Sequence, residues 1–135
     1  LAHSFTPPPA GKIGPVTFVV GVQTASDANE AHWQKKAARN GGIRKSVSRV
    51  LGRELAYLVP FAIAYHNNLP VRAHFVRLGG RRLDRLANLG AALKAVEDTV
   101  CLMIGADDGS ENWKPSCEQE PGGPYGVRIT LSIFE

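Results

Sequence analysis

Five ionisable side chains able to bind a cation or an anion fall close together in the sequence: Asp84, Lys94, Asp98, Asp107 and Asp108. Carboxylates are the hard oxygen ligands that hold a divalent cation able to activate water, and a lysine ammonium steadies a phosphate or a carboxylate. The stretch that must position them is residues 83–109. Its apolar side chains recur at Leu86, Leu89, Leu93, Val96, Val100 and Met103, a three-four spacing that predicts an amphipathic helix. Asp84 stands at the entrance of that helix, Lys94 and Asp98 lie one turn apart on its polar side, and the Asp107-Asp108 pair follows Gly105, which stops it. Acids at both ends of one helix converge only if the chain folds back to bring the Asp-Asp loop beside the entrance.

Each piece also has a plainer role. Asp84 is a good N-cap, Asp107-Asp108-Gly109 is a common turn sequence, and Lys94 with Asp98 has the spacing of a solvated i,i+4 pair contributing a few tenths of a kcal/mol.

Several further motifs join them in order. Asn88-Leu89, then Ala92-Leu93-Lys94-Ala95-Val96-Glu97-Asp98, then Gly105-Ala106-Asp107-Asp108-Gly109 follow one another, preceded by Ser26-Asp27-Ala28-Asn29 with His32-Trp33 and followed by Glu118-Gln119-Glu120 and Gly126-Val127-Arg128-Ile129. In this arrangement the chain resembles the RusA family of Holliday junction resolvases, in particular its phage-type branch, over most of its length after about Val16. The resemblance implies Mg²⁺ or Mn²⁺, structure-selective hydrolysis of four-way DNA junctions and a homodimer matched to the two symmetric strands of the junction. It implies metal at Asp107 and Asp108, with Asp108 matching a family ligand directly. It also implies catalytic roles for Asp84, Asp108 and Lys94. One motif departs from the family pattern. Where the family has two aspartates just before Asn-Leu, this chain has Arg85 and Ala87, and Asp84 lies four residues before Asn88. Asp84 is then the candidate to replace a lost metal ligand.

Charge is unevenly spread. Residues 35–85 hold twelve of the sixteen Lys and Arg against two acids, Glu54 and Asp84, whereas elsewhere acids outnumber bases ten to four. A basic platform beside an acidic cluster suits a nuclease, with phosphates on Lys and Arg and metal on Asp. The backbone-binding candidates are Lys35, Lys36, Arg39, Arg44, Lys45, Arg81 and Arg82. The bland alternative is a solvated basic helix.

At 135 residues and 44% hydrophobic, the chain has the length of one domain with a real core. No apolar run approaches the roughly 20 residues that span a bilayer. The opening LAHSFTPPPAGK lacks the charged-then-apolar pattern of a secretion signal, and its prolines predict an extended tail over residues 1–14. Cys101 and Cys117 read as free thiols, which fits a cytoplasmic compartment, and the scattered His3, His32, His66 and His74 have no zinc-ligand spacing.

The remaining elements follow from local pattern. Residues 15–22 form a first strand. A helix capped by Ser26 or Asp27 starts near Ala28 and runs to about Leu58, with a break or kink at Asn40-Gly41-Gly42 and a stop at Pro60; Trp33 near its start packs inward. Residues 69–78 form a second strand with Arg72, His74 and Arg77 on a basic side, and residues 113–119 and 125–134 pair as a hairpin around Pro121-Gly122-Gly123-Pro124. The expected architecture is a single small α/β (α+β) domain over residues 15–135, a mixed sheet with two main helices packed on it. Two other classes remain open: a relative that binds branched DNA after its metal site has decayed, and a small basic RNA-binding or assembly protein sharing only the fold.

Overall fold

The structure is a computed structural model that describes residues 3–24, 33–84 and 86–133. Its sheet is built around the strand Val71–Leu78, which is hydrogen-bonded on both sides. In chain order the strands are β1 (Ser4–Thr6), β2 (Val16–Val20), β3 (Val71–Leu78), β4 (Trp113–Glu120) and β5 (Gly126–Ile133), and their order across the sheet is β1-β2-β5-β3-β4. Only β3 and β4 are parallel; every other neighbouring pair is antiparallel. Among the described residues three helices accompany the sheet, α1 (Trp33–Gly52), α2 (Leu55–His66) and α3 (Leu86–Ile104), so the chain is a single small α+β domain with a mixed sheet. No helix among the described residues is long and apolar enough to cross a membrane.

The core forms where period-two and period-3.6 faces meet. Val16, Phe18 and Val20 of β2, Val71, Ala73 and Phe75 of β3 and Val127, Ile129 and Leu131 of β5 are buried on alternate residues. Against them pack Ile43, Val47 and Leu51 of α1, Leu58, Phe61 and Ala64 of α2, and Leu89, Leu93, Val96 and Val100 of α3. The opposite sheet face is polar: Arg72, Lys114, Ser116 and Glu118 are exposed there, and His74 bonds Ser116 Oγ at 2.7 Å and Glu118 Oε2 at 3.1 Å. Within the proline-rich opening, Ser4–Thr6 forms an edge strand paired with β2, and Phe5 meets Phe18 at a ring-centroid distance of 4.9 Å.

Several elements differ from the reading of the sequence, each for a physical reason. The 113–119 and 125–134 segments are strands, but they do not pair as a hairpin. The apolar β3 lies between them, with Phe75 opposite Cys117 on one side and Ile129 on the other. The connection must cross the end of β3, and it passes so close that a Cβ on Gly79 would lie 2.6 Å from the Pro124 carbonyl oxygen. The basic helix is continuous through Asn40-Gly41-Gly42, since neither glycine is near other elements and burial of Ile43 and Val47 outweighs the roughly 1 kcal/mol that each glycine costs. The chain breaks instead at Arg53-Glu54, and α2 runs on past Pro60 to His66, which gives three helices where two were expected. Pro60 is tolerated in α2 because the carbonyl that loses its partner belongs to exposed Ala56. Leu86, expected on the apolar face of α3, is 74% exposed at its first turn.

Arg77 is the other correction. Strand alternation puts it on the side of Val71, Ala73 and Phe75, not with Arg72 and His74, and it is 5% exposed. Its guanidinium donates to Thr24 Oγ1 at 3.2 Å, the Thr24 carbonyl at 3.1 Å and the Arg81 carbonyl at 2.8 Å, which ties the segment after β2 to the segment leading into α3. Burial lowers its pKa from the ordinary arginine value. The expectations placed on Ser26, Asp27, Ala28, His32 and Arg85, and on the side chain of Trp33, lie outside the described residues.

Candidate functional site

Lys94 is the centre of the site. It stands on the exposed side of α3, pointing away from buried Leu93 and Val96, and its ammonium contacts both Asp108 and Asp98, the latter at 3.1 Å, with Glu97 at 4.0 Å. The hydrogen bond to Asp108 is the main reason that the Lys94 pKa is raised from the ordinary lysine value, followed by the bond to Asp98. The same contact lowers the Asp108 carboxyl from its ordinary range. Two carboxylates thus meet on one cation at an exposed position.

The chain after α3 folds back to make this possible. Gly105, at φ +72°, ends the helix, and the Ala106 N–H returns to the Cys101 carbonyl at 2.8 Å. Asp107 then organises a turn: its Oδ1 accepts from the Gly109 N–H at 3.0 Å and its carbonyl accepts from the Ser110 N–H at 3.0 Å. From α2, Tyr65 Oη accepts the Asp107 N–H at 3.0 Å. Asp107 is therefore engaged in the turn, and Asp108 is the member of the pair directed at Lys94. Behind them, the buried Trp113 donates its indole N–H to Glu97 Oε2 at 2.9 Å, which holds Glu97 beside Lys94.

Asp84 is elsewhere. The Gln119 side chain clamps Leu83, accepting from its N–H at 2.8 Å and donating to its carbonyl at 2.9 Å, which fixes the helix entrance at the C-terminal end of β4. The Asp107-Asp108 turn leads instead into the start of β4, where the Asn112 carbonyl accepts from the Val71 N–H at 2.8 Å. From Leu86 to Lys94 the axis of α3 runs about 12 Å, at 1.5 Å per residue. The fold-back therefore reaches Lys94 and Asp98 in the middle of the helix and stops short of Asp84. Among the described residues no three His, Cys, Asp or Glu side chains are grouped so as to hold a metal ion.

The basic candidates divide in the same way. Arg81 and Arg82 are exposed near the helix entrance, with Asp84. Lys35, Lys36, Arg39, Arg44 and Lys45 are carried by α1, which packs along α3. On that side Lys36, Asn40 and Arg44 face Ala91, Lys94, Ala95 and Asp98 across a crevice of about 190 Å³. The small side chains of Ala91 and Ala95 leave the space open.

Sequence reasoning reached Lys94 and Asp108 but valued Asp98 only as a solvated partner of Lys94; the i,i+4 spacing that joins them was visible. It missed Tyr65 and Trp113, whose sequence distances from their partners leave no local signal. Both thiols are free, and burial pushes Cys101 up to about 12. Comparison with protein-family models and with curated proteins gives no match.

Proposed function

We propose that this protein is a structure-selective endodeoxyribonuclease that resolves four-way DNA junctions by metal-dependent phosphodiester hydrolysis. The observation that carries this reading is the meeting of Asp98 and Asp108 on the Lys94 ammonium, beside the basic side of α1. The donor set suits Mg²⁺ or Mn²⁺, which is commonly held by one or two carboxylates together with water and substrate phosphate oxygens. Asp108 and Asp98 would hold the cation, whose contribution when bound is to lower the pKa of water and to stabilise charge on the leaving oxygen. Lys94, released from one carboxylate, steadies the phosphate, and Lys36 and Arg44 hold the flanking backbone. Asp107 orders the turn that presents Asp108. Four-way junctions have two equivalent strands to cut, so the active species in this reading is a homodimer.

The test is strand scission of an end-labelled four-way junction, resolved on a denaturing gel, with Mg²⁺ or Mn²⁺ against EDTA. Symmetric, metal-dependent nicks are expected; intact strands under every condition would sink the proposal. A second reading, a branched-DNA-binding relative without chemistry, is favoured by one observation: Asp84 stands away from Asp108, so an entrance ligand does not complete the site. Retention of the junction on a native gel without scission is its signature.

A further inference from the structure

We infer that the crevice between α1 and α3 seats a single backbone phosphodiester of an unpaired nucleic-acid strand, with Lys36, Asn40 and Arg44 on one wall and Lys94 on the other. This inference rests on the proposed nuclease reading and specifies the form in which its substrate is held.

The argument begins with spacing. Lys36, Asn40 and Arg44 are four residues apart, so they share one side of α1, and Lys36 and Arg44 are about 12 Å apart along its axis. Across from them α3 offers the alanines Ala91 and Ala95, which recede, and Lys94, which projects. Three cationic side chains and one amide therefore line a concave space of about 190 Å³. That is below the roughly 300 Å³ at which pockets for drug-sized ligands begin, and it suits a group as small as a phosphate. Helices wall the crevice on both sides. A strand free to leave the regular stack can lower a phosphate between them, as in the cationic grooves that track single strands. The one acid in the lining, Asp98, is bound to Lys94 at 3.1 Å, so the positive charge presented to a phosphate comes from Lys36 and Arg44.

The probe is a fluorescently labelled ten-nucleotide oligothymidylate without terminal phosphate, followed by anisotropy in EDTA, where no cleavage intervenes. Lys36→Met and Arg44→Met should each weaken binding about tenfold and reduce the magnitude of the slope of log K against log salt by about 0.7, the value for one phosphate contact on a single strand. Arg49→Met removes the same charge from the opposite side of α1, nine residues and half a turn from Asn40 at 100° per residue, and should change affinity less than about twofold. Ala91→Glu, which fills the crevice and adds an acid without removing a cation, should weaken binding as much as Arg44→Met does. Thermal melts of each variant identify any that fail to fold, and Ala91→Glu and Arg44→Met approach the crevice from different helices. Equal losses for Arg49→Met and Arg44→Met would reduce the effect to the general charge of α1 and overturn the inference. Displacement of the oligonucleotide by inorganic phosphate, at the phosphate concentration at which unlabelled oligothymidylate displaces it, would make the crevice a free-phosphate seat and overturn the diester assignment. Binding with this pattern but no junction scission leaves the crevice standing and removes the nuclease reading.

Discussion

Tyr65 and Asp107, 42 residues apart in sequence, are joined by a 3.0 Å hydrogen bond from the Asp107 backbone N–H to the tyrosine oxygen. Through it α2 holds the turn that presents Asp108 to Lys94. The site therefore draws on all three helices: α1 supplies cations, α3 supplies Lys94 and Asp98, and α2 steadies the loop between α3 and β4.

Tyr65→Phe keeps the ring and removes the acceptor. The exposed bond is worth about 0.5–1 kcal/mol, so urea denaturation should register a loss of that size. Junction scission should fall by more than the stability loss explains. Unchanged scission would mean that the turn holds its shape without α2.

Asp108→Asn and Asp107→Asn separate the two members of the acidic pair. Asp108→Asn removes the charge that binds Lys94 and should abolish scission while junction retention on a native gel persists. Asp107→Asn keeps an Oδ1 acceptor for the Gly109 N–H and should leave most of the activity. The reverse ranking on the same gels would move the metal assignment to Asp107.

Gly79→Ala tests the crossover at the end of β3. Gly79 has φ +77°, where a side chain costs roughly 1–2 kcal/mol, and the new Cβ would overlap the Pro124 carbonyl. A loss above about 2 kcal/mol is expected in chemical denaturation, whereas Gly41→Ala, in open space within α1, should stabilise by up to about 1 kcal/mol.

Cys101 gives a pH-dependent readout. Its thiol is pushed from 9.0 up to about 12, first by burial, so the folded protein keeps it protonated where the unfolded chain would ionise. That contribution to stability is fully present below about pH 9 and is lost as pH rises through about 12. At pH 8 a disulfide exchange reagent should leave Cys101 unmodified in the native protein and modify it in denaturant. A Cys117→Ser background isolates the signal.

The sequence alone determined what local periodicity and turn chemistry control. β-Rich composition in residues 15–22 and alternation in residues 125–134 marked two strands, the three-four spacing of Leu89, Leu93, Val96 and Val100 marked α3, and Gly105 marked its end. These signals are complete within a few residues. The sequence also pointed to Lys94 and Asp108, because they sit on the polar side of α3 and in the turn after it. Only tertiary structure decided which strands are neighbours, because strand pairing is a long-range choice: β3 took the position between β4 and β5 that a short connection would assign to a hairpin. Burial likewise carried α1 through Gly41-Gly42 and α2 past Pro60, against local propensity, and put Arg77 inside. The same packing brought Asp108 back to Lys94 and left Asp84 at the other end of β4, since the reach of an eight-residue return, from Gly105 to Asn112, ends at the middle of a 19-residue helix.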